Sequence, residues 1–252
     1  MSEMEAFEIT LVALATFAGA TLQSATGFGY ALLAGPATFA VFEPAEAIMT
    51  LICLSTVLNV LTLVTEGREP AVRRREIGRV LAWAVPGVVA GVLILTAISK
   101  PALQVIVGIA VLVAVGVQVK ANRGKGNTAS ASAQAIAGFA AGTLTTTTGT
   151  SGPPLVLLLD RAGASPEEFR DTIAALFLGL NVLGAIALVA AEGSAELPEV
   201  ATLALLGVIL VLGHLLGRLI FARLDASTFR AVGLVLIVIA GLASIAAGLV
   251  AG

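Results

Sequence analysis

The chain has 252 residues, of which 58% are apolar and only 12% are charged, and its mean hydropathy is +1.03. Soluble domains carry about 25% charged residues, so this composition excludes a water-soluble globular protein and indicates a membrane protein. The net charge of -2 argues against a nucleic-acid partner, and a single cysteine, Cys53, excludes a disulfide framework. No cofactor and no metal site are expected.

Ten apolar segments separated by polar residues are expected to be helices, because they are rich in Ala and Leu and lack the alternation of a membrane β-barrel. They cover residues 7–23, 27–42, 47–65, 80–98, 101–119, 133–147, 149–159, 172–191, 199–221 and 228–250. A helix needs about 20 residues to cross the bilayer. Three segments are shorter and are expected to enter the membrane and return, which gives about eight to ten membrane segments: 27–42, 133–147 and 149–159.

The basic residues predict the orientation of the chain. If the N-terminus lies outside and each segment reverses direction, every Lys and Arg except Lys100 falls on one side of the membrane. These residues are Arg68, Arg73, Arg74, Arg75, Arg79, Lys120, Arg123, Lys125, Arg161, Arg170, Arg218, Arg223 and Arg230. By the positive-inside rule that side is cytoplasmic. We therefore expect a multi-pass protein of the inner membrane with both termini outside.

The two halves of the chain are similar to each other. Phe17–Leu61 aligns without a gap to Phe139–Leu183, and about a third of the positions are identical. The identities include Thr26/Thr148, Gly27/Gly149, Pro44/Pro166, Glu46/Glu168, Thr50/Thr172 and Leu58-Asn59-Val60-Leu61 with Leu180-Asn181-Val182-Leu183. Further on, the register shifts and Gly87 and Gly91 pair best with Gly213 and Gly217. Apolar composition alone would rarely produce this set of polar matches, so the pattern indicates an internal duplication.

The duplication predicts two membrane repeats, residues 1–120 and 133–252, joined by a polar cytoplasmic linker at 121–132. Each repeat holds five segments, an odd number, so the second repeat enters the membrane from the opposite face. Many secondary transporters are built from inverted repeats of this kind, with the substrate site at the repeat interface near the midplane.

Each half contains one polar interruption between short segments, at 23–29 and at 145–154. Glycines and the pair Pro153-Pro154 disfavour a continuous helix there. Non-helical backbone at membrane depth is tolerated only where protein surrounds it or a cavity adjoins it. A helix that begins after such a break presents unpaired N–H groups that attract an anion. The candidate ligands are Gln23, Ser24, Thr26, Gly27, Gly29, Thr147, Thr148, Gly149, Ser151 and Gly152. The alternative is that these small residues only let helices pack closely.

Asn59 and Asn181 lie in long apolar runs, where an unpaired amide would be costly, and they are expected either to flank the anion site or to join helices by hydrogen bonds. No Lys or Arg is expected near the breaks. Three ionisable residues are candidates for coupling to H⁺ or Na⁺: His214, Glu46 and Glu168. Glu46 and Glu168 follow prolines at helix starts, where helix capping is the stronger interpretation.

A protease is the rival hypothesis. Gly149-Thr150-Ser151-Gly152 fits the Gly-x-Ser-Gly pattern of rhomboid intramembrane proteases, and His214 would then serve as the base of a Ser/His dyad. His214 is, however, the only histidine, so a second one for the oxyanion site is absent. The equivalence of this segment with 27–30 in the first half also explains it without catalysis.

Taken together, these residues resemble the TauE/SafE group of sulfite and organosulfonate exporters, also called TSUP transporters, over essentially the full length. The resemblance rests on both breaks, the duplicated halves, and the Pro-x-Glu and Leu-Asn runs. It implies about eight membrane helices and transport of a small anion such as sulfite, a sulfonate, thiosulfate or a carboxylate, rather than enzymatic activity. Our hypothesis is alternating access, and an anion channel is the alternative. The expected partners are the anion and membrane lipid; assembly with a second copy of the chain is left open.

Overall fold

A computed structural model describes residues 3–65, 69–120, 130–192, 198–221 and 226–251. Within these ranges the chain is helical without strands, which confirms the prediction of an all-helical protein. The helices are α1 (Glu3–Thr26), α2 (Tyr30–Val41), α3 (Pro44–Val64), α4 (Arg74–Ala97), α5 (Lys100–Lys120), α6 (Ala131–Thr148), α7 (Gly152–Arg161), α8 (Pro166–Glu192), α9 (Val200–Phe221) and α10 (Ala226–Ala251).

Five of the described helices are long and apolar enough to cross a membrane, by length and composition. These spans are Ala6–Thr26, Pro44–Val64, Arg74–Ala97, Glu167–Ala191 and Val200–Leu219. The chain is therefore a polytopic membrane protein, as predicted. Helix α2 has 12 residues and α7 has 10. At 1.5 Å per residue they extend only about 18 and 15 Å, less than the hydrocarbon core of about 30 Å, so neither crosses by itself.

Helices α4 and α8 begin well before the apolar segments that predicted them. Segment 80–98 belongs to α4 and segment 172–191 to α8, and both helices open with charged turns. These charges pair with each other: Arg73 binds Glu76 at 3.2 Å and Glu168 at 3.0 Å, and the Asp171 carboxylate accepts the Ala71 N–H at 2.6 Å. Because the charged groups are paired, the helices extend through positions that an apolar pattern excludes.

The predicted linker 121–132 lies mostly outside the described residues. Its last two residues, Ala131 and Ser132, belong to α6, and Ser130 is the N-cap of that helix. The Ser130 hydroxyl accepts the Ala133 N–H at 3.2 Å, which satisfies one of the unpaired donors of the first turn. Helix α6 therefore begins at Ala131, slightly earlier than the predicted segment 133–147.

The contacts between helices are nearly unchanged when α1–α5 are exchanged, in order, with α6–α10. Helix α1 packs on α9, and α6 packs on α4; α3 packs on α9, and α8 on α4; α2 packs on α10, and α7 on α5. The pairs α3–α8 and α5–α10 map onto themselves. This is the arrangement expected for two units related by a pseudo-twofold axis.

Glycines allow the closest helix contacts in both halves. A Cβ at Gly213 of α9 would lie 2.5 Å from the Phe17 carbonyl oxygen of α1, and one at Gly87 of α4 would collide with the Phe139 carbonyl of α6. Phe17 and Phe139 are equivalent positions in the sequence alignment. The same relation holds for Gly217 of α9 and Gly91 of α4, which approach the carbonyls of Thr21 in α1 and Thr143 in α6. Small residues thus join α1 to α9 and α4 to α6 in the same way.

Candidate anion-binding site

The first break separates α1 from α2 by three residues. Helix α1 ends at Thr26, whose hydroxyl lies 2.9 Å from the Leu22 carbonyl oxygen and 2.8 Å from that of Phe28. Gly27 and Gly29 have φ angles of 91° and 118°, in a region that residues with a Cβ rarely adopt. The reversal of the chain therefore depends on glycine at both positions.

The second break separates α6 from α7 and repeats this local geometry. The Thr148 hydroxyl lies 3.0 Å from the Leu144 carbonyl oxygen, as the equivalent Thr26 hydroxyl does four residues back in α1. It also lies 2.6 Å from the hydroxyl of Thr150. Gly149 follows with a φ of 67°. The two breaks, predicted from glycine, proline and threonine, thus end their helices by the same hydrogen bond.

The two breaks meet at the same small cavity, which has a volume of about 20 Å³. Its lining comes from both breaks and from the middle of α3 and α8: Gln23, Phe28, Gly29, Ala31, Leu32, Ser55, Gly149, Thr150, Ser151, Gly152, Phe177 and Asn181. Helix α2 also approaches the second break directly, since a Cβ at Gly35 would lie 3.8 Å from Cγ2 of Thr150. The lining contains donors and acceptors but neither a carboxylate nor a basic side chain.

Half of the predicted ligand residues line this cavity and half do not. Those that do are Gln23, Gly29, Gly149, Ser151, Gly152 and Asn181. The others are not part of the lining: Ser24, Thr26, Gly27, Asn59, Thr147 and Thr148. The threonine hydroxyls among them bond to carbonyls of their own helix; Thr147, for example, donates to the Thr143 carbonyl at 2.8 Å. Six lining residues were not among the predicted ligands: Phe28, Ala31, Leu32, Ser55, Thr150 and Phe177.

A chain of buried amides connects the first break to α3. The Gln23 Oε1 accepts the Tyr30 N–H at 3.1 Å, at the start of α2, and its Nε2 donates to Asn59 Oδ1 at 3.0 Å. The Asn59 Nδ2 donates in turn to the carbonyl and the hydroxyl of Ser55, at 2.7 and 3.0 Å. Asn59 therefore holds Gln23 and Ser55, which both line the cavity, by hydrogen bonds. Its bond to Gln23 joins α3 to α1, which is the second of the two roles predicted for it.

Asn181 on α8 faces the cavity itself. With its amide oriented to satisfy its neighbours, the nitrogen donates to the Phe177 carbonyl at 3.3 Å, and the oxygen accepts from the Ser55 hydroxyl and the Thr56 N–H, both at 3.3 Å. This orientation gives Asn181 the same bond to the carbonyl four residues back that Asn59 makes in α3. Asn181 thus joins α8 to α3 at the cavity, whereas Asn59 joins α3 to α1.

His214 is buried between α9, α1 and α3. Its Nδ1 lies 2.7 Å from the Ser24 hydroxyl and its Nε2 lies 3.3 Å from the Thr65 hydroxyl. Both ring nitrogens therefore have partners other than Ser151, which lies in the cavity lining. This geometry does not assemble the Ser151/His214 dyad that the protease hypothesis needs.

Glu168 and Glu46 both occupy the first turn of a helix. Glu168 forms a capping box with Ser165: the carboxylate accepts the Ser165 N–H at 3.0 Å, and the Ser165 hydroxyl accepts the Glu168 N–H at 3.2 Å. It also binds Arg73 at 3.0 Å. These contacts give Glu168 a structural role at the start of α8, in line with the capping interpretation.

Arg170 corrects the expectation that no cation lies near the breaks. Its guanidinium donates to the Ser24 carbonyl at 3.3 Å, in the last turn of α1, where a positive charge complements the helix dipole. Its side chain also packs against Gly27, where a Cβ would lie 2.8 Å from its Cγ. The apolar pattern assigned Arg170 to a loop, whereas the early start of α8 carries it to the first break. Within the described ranges, no cluster of three His, Cys, Asp or Glu residues has the geometry to hold a metal ion.

The profile of the sulfite exporter TauE/SafE family matches residues 11–244, nearly the whole chain. The chain belongs to the TauE/SafE family. Neither a curated protein nor a solved structure matches it. Membership in this exporter family makes the chain a membrane transport protein, which fits the expectation that it is not an enzyme, and it makes a small anion and membrane lipid its partners. The matched region includes both breaks and every residue of the cavity lining.

Proposed function

We propose that this protein is a secondary transporter that moves a small oxyanion, such as sulfite, thiosulfate, a sulfonate or a small carboxylate, across the inner membrane by alternating access. The anion binds in the cavity between the two breaks. The observation that carries the proposal is that both breaks contribute neutral hydrogen-bond donors to one buried cavity whose lining has no carboxylate. The family assignment independently supports anion transport.

The donors come from two helix starts that approach the cavity. Ala31 and Leu32 lie in the first turn of α2 and line the cavity, and first-turn N–H groups have no partner within their own helix. The first turn of α7 has fewer donors because Pro153 and Pro154 lack an N–H. Ser151 offers a hydroxyl on that side, and it makes no hydrogen bond to any described residue. Together with the helix dipoles these groups favour an anion.

The helix pairing and the equivalent glycine contacts support an inverted duplication with repeats near residues 1–120 and 131–252. In an inverted repeat, exchanging the conformations of the two units opens the site to the other side of the membrane. The short helices α2 and α7 then enter the membrane from opposite faces and meet at the cavity. Both termini lie outside the cytoplasm on the positive-inside rule.

A thermal-unfolding screen of purified protein against small oxyanions tests the site. A bound anion raises the unfolding midpoint because it binds only the folded state. We expect one class of anion to stabilise the parent protein and to stabilise Ser151→Ala and Gly152→Ala much less. Gly152→Ala is mild, since its Cβ would lie 3.7 Å from the Phe177 ring, yet it narrows the cavity. The matched control is Gly207→Ala, which meets nothing within 4 Å. Equal stabilisation of all four proteins would place the anion elsewhere.

Counterflow in proteoliposomes distinguishes a carrier from a channel. A carrier takes up labelled anion faster when unlabelled anion is present inside, because the loaded site returns more readily than the empty one. We expect this acceleration in the parent protein. Anion flux without counterflow at saturating concentrations would favour the channel.

Labelling of single cysteines tests the orientation, in a Cys53→Ala background. We expect cysteines at Arg74 and Lys125 to react from the cytoplasmic side and one at Lys100 to react from the other side. Reaction of Arg74 and Lys125 positions from opposite sides would refute the inverted arrangement.

A further inference from the structure

The two halves of the site differ at one interhelical contact. The pairing of Gly87 with Gly213 places His214 at the position of Val88, and Ser24 occupies the position of Thr146. In the second half, the Thr146 hydroxyl donates to the Val88 carbonyl at 3.0 Å. In the first half, the Ser24 hydroxyl binds the His214 ring at 2.7 Å. The same contact between helices is thus made by a backbone carbonyl in one half and by a group that can bind a proton in the other.

The hydrogen bonds assign the neutral tautomer of His214. The Thr65 hydroxyl lies 2.6 Å from the Leu61 carbonyl, which can only accept, so the hydroxyl hydrogen is directed there. The Thr65 oxygen therefore accepts from His214 Nε2–H, and Nδ1 is unprotonated and accepts the hydrogen of Ser24. When a proton binds Nδ1, the Ser24 hydroxyl rotates and its oxygen accepts from the new N–H. The site can thus take up one proton without losing either hydrogen bond.

The charged groups around this ring favour linkage to an anion. Arg218 on α9 and Arg170 on α8 are the charged neighbours that act on His214 among the described residues, whereas α1 and α3 present the hydroxyls of Ser24 and Thr65. Protonated His214 adds a third positive charge beside Arg218 and Arg170, and an anion in the cavity offsets that charge. Ser24, which binds the ring, follows Gln23, which lines that cavity, in the sequence of α1.

We propose that His214 carries the proton in a proton-coupled anion symport: Nδ1 takes up one proton when the anion occupies the cavity, and the two leave on the same side. This inference rests on the proposed function. By linkage, anion binding and protonation of His214 strengthen each other equally. In the second half, the equivalent contact between Thr146 and Val88 joins α6 to α4 and contains no titratable group.

The decisive experiment measures proton and anion movement separately in proteoliposomes. The anion is sulfate, thiosulfate or an alkanesulfonate, whichever stabilises the protein, because these stay ionised near neutral pH and carry no proton themselves. We expect an inward anion gradient to acidify the lumen, reported by trapped pyranine, with the parent protein. In His214→Asn, whose Oδ1 can still accept from Ser24, acidification should fall to the level of protein-free liposomes while counterflow stays measurable. Thr146→Val, the matched change in the other half, should retain the parent's ratio of protons to anions.

The outcomes separate the two proposals. Absence of counterflow in the parent protein would refute the proposal of a carrier. Counterflow without acidification would refute only the proposed role of His214. Acidification by His214→Asn equal to that of the parent protein would do the same. A second measurement covers a variant that does not fold. Because the chain has one histidine, ¹⁵N-histidine NMR of untagged parent protein in nanodiscs reports that ring directly. The anion should shift its signals toward the protonated form at constant pH, and unchanged signals would overturn the inference.

Discussion

Gly149 ends α6 at the second break, and replacing it with alanine tests whether backbone geometry holds this break in place. Two costs combine in Gly149→Ala. The φ of 67° is left-handed, which costs an alanine about 1 kcal/mol, and the new Cβ would lie 2.7 Å from Cδ1 of Leu51. Relieving such an overlap in a packed core costs about 1 to 3 kcal/mol. The expected destabilisation is therefore about 2 to 4 kcal/mol, or a fall of about 6 to 12 °C in the unfolding midpoint for a chain of this size.

Companion variants separate the two costs. Gly149→Asn keeps the collision but lowers the backbone cost, since asparagine tolerates the left-handed region. Leu51→Val removes the Cδ1 atom, so adding it to Gly149→Ala should cost less than the sum of the two single changes. The assay is thermal unfolding in detergent followed by circular dichroism, with Gly207→Ala as control. Gly207 meets nothing within 4 Å, so its replacement should leave the midpoint unchanged or raise it. Equal midpoints for Gly149→Ala and Gly207→Ala would refute the reasoning.

Three further substitutions test the hydrogen bonds and ion pairs. Arg73→Gln deprives the buried Glu76 of its ion pair and should cost about 3 kcal/mol of unfolding free energy, and adding Glu76→Gln should restore most of it; an additive double mutant would contradict this. Lys100→Met breaks an exposed pair and should cost less than about 1 kcal/mol in the same assay. Gln23→Leu leaves the Asn59 oxygen without its partner and should lower the free energy of unfolding by about 1 to 3 kcal/mol. Asn59→Leu should cost less in the Gln23→Leu background than in the parent protein.

The helical architecture was predictable because lipid imposes it. Long apolar runs must form helices in a bilayer, so the number of described helices agrees with the segments read from the sequence. The starts of α4 and α8 were not predictable in this way. An apolar pattern ends where charges begin, whereas Arg73, Glu76 and Glu168 compensate one another only once the α3–α4 connection lies beside α8. Pairing between distant segments leaves no local signal.

The candidate site was predictable in part for a similar reason. Glycine and proline mark the breaks in the sequence, so Gly29, Gly149 and Gly152 were found. Ser55 and Phe177 come from the middle of α3 and α8, where nothing local distinguishes them from other buried positions. A signal did exist: they are equivalent in the repeat alignment, and each precedes a repeated asparagine by one helical turn. Combining the repeat register with helical periodicity would have identified both.

Backbone geometry explains why the two half-sites cannot offer the same donors. The first break uses two left-handed residues, Gly27 and Gly29, whereas the second uses Gly149 alone, because Ser151 does not have a positive φ. Gly29 and Ser151 are equivalent positions that both line the cavity. A hydroxyl is therefore compatible with the second break and strained in the first.

This asymmetry makes opposite predictions for two exchanges. Gly29→Ser should lower the unfolding midpoint, because serine must adopt a φ of 118° and its Cβ would lie 3.1 Å from Cδ2 of Leu22. Ser151→Gly should fold nearly as well as the parent protein but lose much of the stabilisation by anion, since the change removes the CH2OH side chain and leaves a backbone conformation that glycine also adopts. If Gly29→Ser proved as stable as the parent, the backbone would not be what restricts the hydroxyl to one half, and the division of roles between the two breaks would need another cause.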